Sequence, residues 1–216
     1  MAAGLTGCRV VVSCALLMAS SAALLDEPRG KTVGQERLRS VWVTWVAAAR
    51  RGDHEAFTAL HGHFGKLVHA IVISRVGASD ASDLVQDIFL LVFQKLSSLE
   101  DDQAFPAWLS QLARNRASRH LRDAHPSEPL EAAPQQAAPD RSGAPDARKV
   151  LLTLQQLPEA YAETLAMRLI EGLTGPEISE RTGLTPGSVR VNLHRGMALL
   201  REKLGLPTRS EGTADE

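Results

Sequence analysis

Thiols are nearly absent from this chain. Its two cysteines, Cys8 and Cys14, lie in one apolar run near the N terminus. The rest of the sequence therefore has no means of building a disulfide or a thiolate metal site. That usage fits a reducing compartment, and the cytoplasm is the expected location. Aromatic residues are only 4% of 216, and an Ala- and Leu-rich remainder favours helices. An excess of charge is missing too: 24 Lys and Arg stand against 25 Asp and Glu, for a formal net charge of -1. A protein that grips DNA unaided is ordinarily clearly basic. Any nucleic-acid binding by this chain is therefore expected to be weak alone and to need a partner that supplies affinity. No nucleotide-binding loop, catalytic triad or metal cluster is visible. The expectation is a protein that is not an enzyme, with no cofactor and no small-molecule substrate. His61, His63 and His69 are the only metal temptation. Positions 61 and 63 point to different sides of a helix, and no carboxylate or thiol completes a set. Surface or core histidines are the simpler reading.

What is present is enough apolar material, 44% of the residues, for one or two small domains. Residues 1–40 fit them least. Arg9 precedes an uncharged run from Val10 to Leu25 that holds the small residues Ala19-Ser20-Ser21-Ala22 and is followed by Asp26 and Glu27. This is the layout of a signal peptide, and it is short for a membrane span of about 20 apolar residues. A start site placed too far upstream, a targeting or anchoring segment, and a packed helix all remain open.

Beyond it the apolar residues recur at helical spacing. Val41 to Arg51 reads as a short helix stopped by Gly52, and Asp53 as the cap of the next. Phe57, Leu60, Phe64, Leu67, Val68 and Ile71 make one face of that next helix. A third helix begins at Asp80, with Leu84, Val85, Ile88, Phe89, Val92 and Leu96 inward. Gln86, Asp87, Leu90, Leu91 and Lys95 are left outside. Two leucines beside a Gln-Asp pair suggest a protein-docking surface, unless a neighbouring helix covers them. After the charged turn Glu100-Asp101-Asp102 comes a helix opened by Phe105 and Trp108. Arg114, Asn115, Arg116, Arg119, His120 and Arg122 form a basic rim along it. Rings that stack on bases and cations that follow phosphates suit single-stranded or distorted nucleic acid. An ordinary solvated basic helix is the plain alternative.

Residues 124–146 hold Pro126, Pro129, Pro134, Pro139 and Pro145 and almost no large apolar side chain. Such a segment cannot bury enough surface to offset its ordering entropy, so a linker is expected. A second helical unit follows, with helices beginning at Lys149 and Pro158. It ends in a helix-turn-helix over Thr174 to Leu204. Gly183 suits a left-handed cap, Thr185 an N-cap, and Pro186 the first helical position. Val189, Leu193, Met197 and Leu200 form the inward stripe of the second helix. Ser188, Arg190, Asn192, His194 and Arg195 lie opposite. These are side chains that read base edges or clamp phosphates in a major groove. A hairpin with a solvated polar face is the bland reading. Residues 207–216 are polar and acidic, and a disordered tail is expected.

Two stretches now agree. Asp83-Leu84-Val85-Gln86-Asp87, followed by Trp108-Leu109 and Ala113-Arg114-Asn115, resembles region 2 of the extracytoplasmic-function sigma factors, within the sigma-70 family. Leu157-Pro158-Glu159, Glu171-Gly172-Leu173 and Val189 through Leu193-His194-Arg195 resemble region 4 of the same group. The resemblance runs from about Val46 to Leu204, broken by the linker. It implies an all-α chain of two small domains: a region 2-like bundle at 41–123 and a region 4-like helix-turn-helix at 147–206.

By resemblance the protein is a bacterial transcription initiation factor that binds core RNA polymerase and directs it to promoters. The helix of Asp83 to Lys95 would dock on the polymerase clamp through Asp83, Gln86, Asp87, Leu90 and Leu91. Trp108, Arg114, Asn115, Arg119 and Arg122 would face the opening -10 element. Ser188, Arg190, Val191, Asn192, His194 and Arg195 would contact the -35 element. An anti-sigma factor is a further partner the family leads one to expect. The chain departs from the family pattern at three places. Asn192 stands where arginine is common, Leu91 where a charge is common, and Glu100 to Asp102 is acidic where the opened strand would pass. That acidity motivates the alternative of a regulator that occupies the clamp without opening promoters.

Overall fold

The computed structural model describes residues 32–124 and 147–206, and every regular element among them is a helix. The readings made for residues 1–31, for nearly all of the linker and for the acidic tail lie outside the described residues. Eight α-helices follow in order: α1 Thr32–Arg50, α2 His54–Ile73, α3 Ala78–Lys95, α4 Phe105–Ala124, α5 Ala147–Gln155, α6 Glu159–Leu169, α7 Gly175–Thr182 and α8 Pro186–Leu204. Short 3-10 turns at Leu96–Ser98 and Asp102–Ala104 join α3 to α4. Helix α1 begins at Thr32 rather than at Val41. After Gly34 no glycine or proline interrupts this sequence before Gly52, so nothing stops the helix from extending upstream.

Local chemistry sets most of the boundaries. Gly52 takes a φ of 94° and closes α1. The Asp53 carboxylate then accepts from the Glu55 and Ala56 amides at 2.9 and 3.1 Å, which satisfies two of the donors a helix start leaves unpaired. Helix α3 starts earlier than Asp80, with Gly77 as an N-cap that makes no side-chain bond. Asp80 is instead tied to His120 of α4 at 3.0 Å. The hydrogen bonds from His120 and then Ser79 hold its carboxyl below the usual aspartate range.

Helix α2 is the centre of the molecule and packs against α1, α3, α4, α6 and α7. One buried face was expected. In its last turns Leu67, Val68 and Ala70 through Ile73 are all buried. A helix apolar on every side must be covered on every side. Here α1, α3 and α4 cover one part, and α6 and α7, from beyond the linker, cover the rest. Phe64 lies edge-on to Trp42 at 5.8 Å and to Phe105 at 5.1 Å, so one ring joins α1, α2 and α4.

In the second unit α8 packs on α5, α6 and α7. Gly196 permits its closest approach to α6. A Cβ there would lie 3.0 Å from the Tyr161 Cβ and 3.1 Å from the Leu165 Cδ1. Gly196→Val is expected to destabilise this unit by about 2 kcal/mol through overpacking, seen as a lower urea midpoint. An unchanged midpoint would show that the two helices separate without cost.

Helix α7 is fixed by a capping box. The Glu177 carboxylate accepts from the Thr174 N–H and hydroxyl, both at 2.8 Å, and the Thr174 hydroxyl oxygen accepts from the Glu177 amide at 3.4 Å. Burial pushes the Glu177 carboxyl up. The Thr174 hydrogen bonds, with Arg181 and Lys66 nearby, outweigh burial and hold it below the usual glutamate range. A depressed carboxyl contributes stability above the unfolded glutamate pKa and loses it as pH falls through the folded value. Glu177→Gln is therefore expected to destabilise the helix-turn-helix at pH 7 and to match wild type in strong acid. Melting curves of both proteins across that range measure it, and a pH-independent difference would contradict the assignment.

Candidate polymerase and promoter interface

The turn between α7 and α8 has the expected chemistry. Gly183 takes a φ of 74° and closes α7, and Thr185 accepts from the Ser188 amide at 3.1 Å to open α8. Ser179 donates to the Leu184 carbonyl at 2.6 Å and braces the turn. Val189, Leu193, Met197 and Leu200 are buried. Ser188, Arg190, Val191, His194 and Arg195 are exposed on the other side. Val191 is 44% exposed, an apolar side chain among donors. Such a side chain can meet a thymine methyl group in a major groove. Asn192 is different. It is half-buried, and its amide donates to the Thr164 hydroxyl of α6 at 3.4 Å.

On α4, Trp108 is half-buried, with its ring 5.9 Å from that of Phe105. Asn115 is exposed and accepts from Gln111 at 3.0 Å, and Arg119 and Arg122 are exposed. Arg114 is held elsewhere. Its Nε and Nη2 donate to the two oxygens of Glu163 at 2.9 and 2.7 Å, and its Nε lies 2.9 Å from Glu159. The hydrogen bonds to Glu163 hold the Arg114 proton more tightly than usual, against the opposing effect of burial. Arg116 is likewise engaged, donating to Asp87 of α3 at 2.6 Å.

The outer face of α3 carries Asp83, Gln86 and Leu90, all exposed, with Asp87 and Leu91 half-buried. Leu90 is 62% exposed. Phe93, which was not singled out from the sequence, is 51% exposed. The signal was available, because Phe93 follows Gln86 and Leu90 at helical spacings of seven and three. Its ring stacks on His54 at 6.0 Å and meets Phe57 edge-on at 5.3 Å, so α2 holds it in place at the surface. The result is an apolar patch rimmed by carboxylates and an amide. Such a patch can seat another helical surface.

The acidic turn is used inside the fold. Asp102 pairs with Arg50 of α1 at 3.0 Å, and Asp101 accepts from the Gln103 amide at 2.9 Å. Two of its three acids thus brace the approach to α4. The histidines also have partners in the protein. His63 meets Glu180 at 3.0 Å, His69 meets Glu171, and His61 lies 4.3 Å from the Phe89 ring. No helix among the described residues is long and apolar enough to cross a membrane.

Known proteins share this pattern. Residues 60–126 match the family Sigma-70 region 2, and residues 147–200 match Sigma-70, region 4. RNA polymerase sigma factor CarQ of Myxococcus xanthus is 35% identical over 162 residues, covering 72% of this chain and 93% of CarQ. The ECF RNA polymerase sigma-E factor of Escherichia coli K12 is 26% identical over 177 residues, 74% of this chain and 92% of that protein. A solved structure of CnrH in complex with the cytosolic domain of CnrY matches at 24% identity with a TM-score of 0.49, covering 76% of this chain and 96% of the matched chain. Both region matches and a relative at this identity over nearly its whole length lead to one assignment: the chain belongs to the extracytoplasmic-function sigma factors of the sigma-70 family, which are factors of transcription initiation.

Proposed function

We propose that this factor divides promoter recognition between two small units, 41–123 and 147–206, which core RNA polymerase holds to one template. The first unit docks on the polymerase clamp through Asp83, Gln86, Asp87, Leu90 and Leu91 of α3, and Phe93 joins them. It also recognises and opens the -10 element with Trp108, Arg114, Asn115, Arg119 and Arg122. Opening is driven by capture of unstacked bases at Trp108, the half-buried ring near the start of α4, which couples binding to melting. Phe105, expected to share that role, is fully buried against Phe64 and packs the core instead. The second unit sets α8 into the major groove of the -35 element, with Ser188, Arg190, Val191, Asn192, His194 and Arg195 as contacts. The work is done in the cytoplasm, and the protein has no catalytic step of its own. An anti-sigma factor is the further partner that membership of this family leads one to expect.

The observation that carries this reading is the exposed face of α8, where Ser188, Arg190, Val191, His194 and Arg195 face solvent behind a doubly capped turn. Near-neutral charge explains why polymerase is needed, since the chain's 24 Lys and Arg are offset by 25 Asp and Glu and leave no excess of cations to hold DNA. Joined on one scaffold, two weak contacts gain from effective concentration. Transcription in vitro from a genomic library, with purified core polymerase, tests it. Start sites should be enriched behind a shared pair of upstream elements, and a profile identical to core alone would refute the reading.

A further inference from the structure

The exposed face of α8 carries one side chain that neither the core nor the helix explains. Val191 is 44% exposed, so it adds little to the core. Valine also forms helices less readily than alanine or the long straight side chains. A single exposed valine is ordinary on a protein surface, but the place of this one is not. Ser188 stands three residues before it and Arg195 four after it, and both are exposed, so the three share one line along the solvent side. Arg190 and His194, also exposed, run beside that line. In the turn before Val191 the line is slim, with Gly187 and Ser188. A Cβ at Gly187 would have only the Thr185 hydroxyl within 4 Å, at 3.9 Å. No packing inside the described residues therefore requires a glycine there, although glycine costs a helix stability. Bare backbone at that point lets the front of α8 come close to another surface. In helix-turn-helix docking, the first residues of the second helix are the ones that reach base edges. Along this line, behind Gly187 and Ser188, Val191 is the first side chain with apolar bulk. Being β-branched, it is held almost wholly in one rotamer within a helix. Its two methyl groups are thus fixed before any partner arrives, and contact costs little rotamer freedom.

The major-groove edge of a base pair offers donors, acceptors and one apolar feature, the C5-methyl group of thymine. The hydroxyl, imidazole and guanidinium groups around Val191 suit the donors and acceptors. Val191 suits only the methyl. We propose that Val191 is a specificity-determining residue that reads the C5-methyl group of one pyrimidine in the -35 element. This contact rests on the reading of α8 as the helix set in the major groove. A methyl group laid against the valine is worth about fourfold in affinity, from the apolar surface taken out of water. Thymine carries that group, and 5-methylcytosine carries the same group on the same carbon, whereas uracil and cytosine lack it. Opposite thymine, the contact selects one base pair. Opposite cytosine, it makes promoter affinity respond to methylation of the DNA.

The test uses holoenzyme and a promoter found by mapping transcript starts. On both strands of its -35 element, each thymine is replaced in turn by deoxyuridine and each cytosine by 5-methylcytosine. Neither change alters the donors and acceptors in the groove. Wild type should respond at one position, losing about fourfold in affinity where a methyl is removed or gaining about fourfold where one is added. The loss identifies thymine as the source of the methyl, and the gain identifies 5-methylcytosine. Val191→Ala should erase the response, and Val191→Ile, which keeps the branched apolar side chain, should retain it. Alanine suits an exposed helical position, so circular dichroism should show Val191→Ala fully folded. No methyl-sensitive position in wild type, or an equal response in Val191→Ala, would overturn the assignment. Inverting each base pair of the same element separates the two ways of failing. If inversions weaken binding and the methyl changes do not, α8 still reads the element and only the role of Val191 falls. If inversions have no effect, α8 does not read the element, and the role of Val191 falls with it.

Discussion

Leu90→Arg is expected to lower the affinity of this factor for core RNA polymerase about 100-fold while leaving its fold intact. The magnitude follows from what a central, desolvated anchor contributes to an interface, roughly 2–4 kcal/mol when removed or charged. Leu90 is 62% exposed on α3, so an arginine there meets water in the free factor and disturbs no core contact. Neighbouring Asp87 is the less clean choice. Its carboxylate accepts from Arg116 at 2.6 Å, and a cation at position 87 would repel α4 as well as a partner. Phe93→Glu should act in the same direction, because its ring continues the patch from Leu90. Pull-down of purified core, with helical circular dichroism as the control for folding, measures both. Undiminished capture of core by a folded Leu90→Arg protein would move the docking surface off α3.

The second large effect is expected at Arg190. If its guanidinium makes a two-pronged contact to a guanine edge, Arg190→Ala weakens promoter binding by about 1–3 kcal/mol and relaxes the base preference at one position. Arg190 is exposed on α8 and opposite the buried Val189 and Leu193, so its removal leaves the core untouched. The measurement is a titration of holoenzyme on promoter DNA and on templates substituted at single positions of the -35 element. An equal loss on every template would make Arg190 a phosphate contact, and no loss would remove it from the interface. Asn192→Ala should differ in kind. Its amide already serves Thr164 at 3.4 Å in the free factor, so the change also loosens α8 from α6.

The elements most legible in the sequence are those set by neighbours in the chain. Asp53, Gly183, Thr185 and Pro186 each act within a few residues, and their roles follow from their own chemistry. The inward stripes of α3 and α8 were legible for the same reason. Contacts between the two units were not. The run Ala70 to Ile73 is apolar on every side, and only the arrival of α6 and α7 explains why. Arg114 reads as a free cation from its own helix, and its partner Glu163 lies 49 residues away. The acidic turn before α4 reads as a repulsive loop, yet Asp102 is matched by Arg50 from α1, with α2 and α3 between them in the chain. Helical spacing could have found Phe93. Nothing local could have found Glu163.

Promoter affinity measured with and without core polymerase tests the division of labour most directly. The isolated factor should bind duplex promoter DNA at least about 100-fold more weakly than the holoenzyme does, since each unit alone lacks the effective concentration that a shared scaffold supplies. The same titration also bears on the small net charge, because weak unaided binding is what a chain at -1 predicts. Tight, sequence-specific binding by the factor alone, unchanged when core polymerase is added, would contradict it.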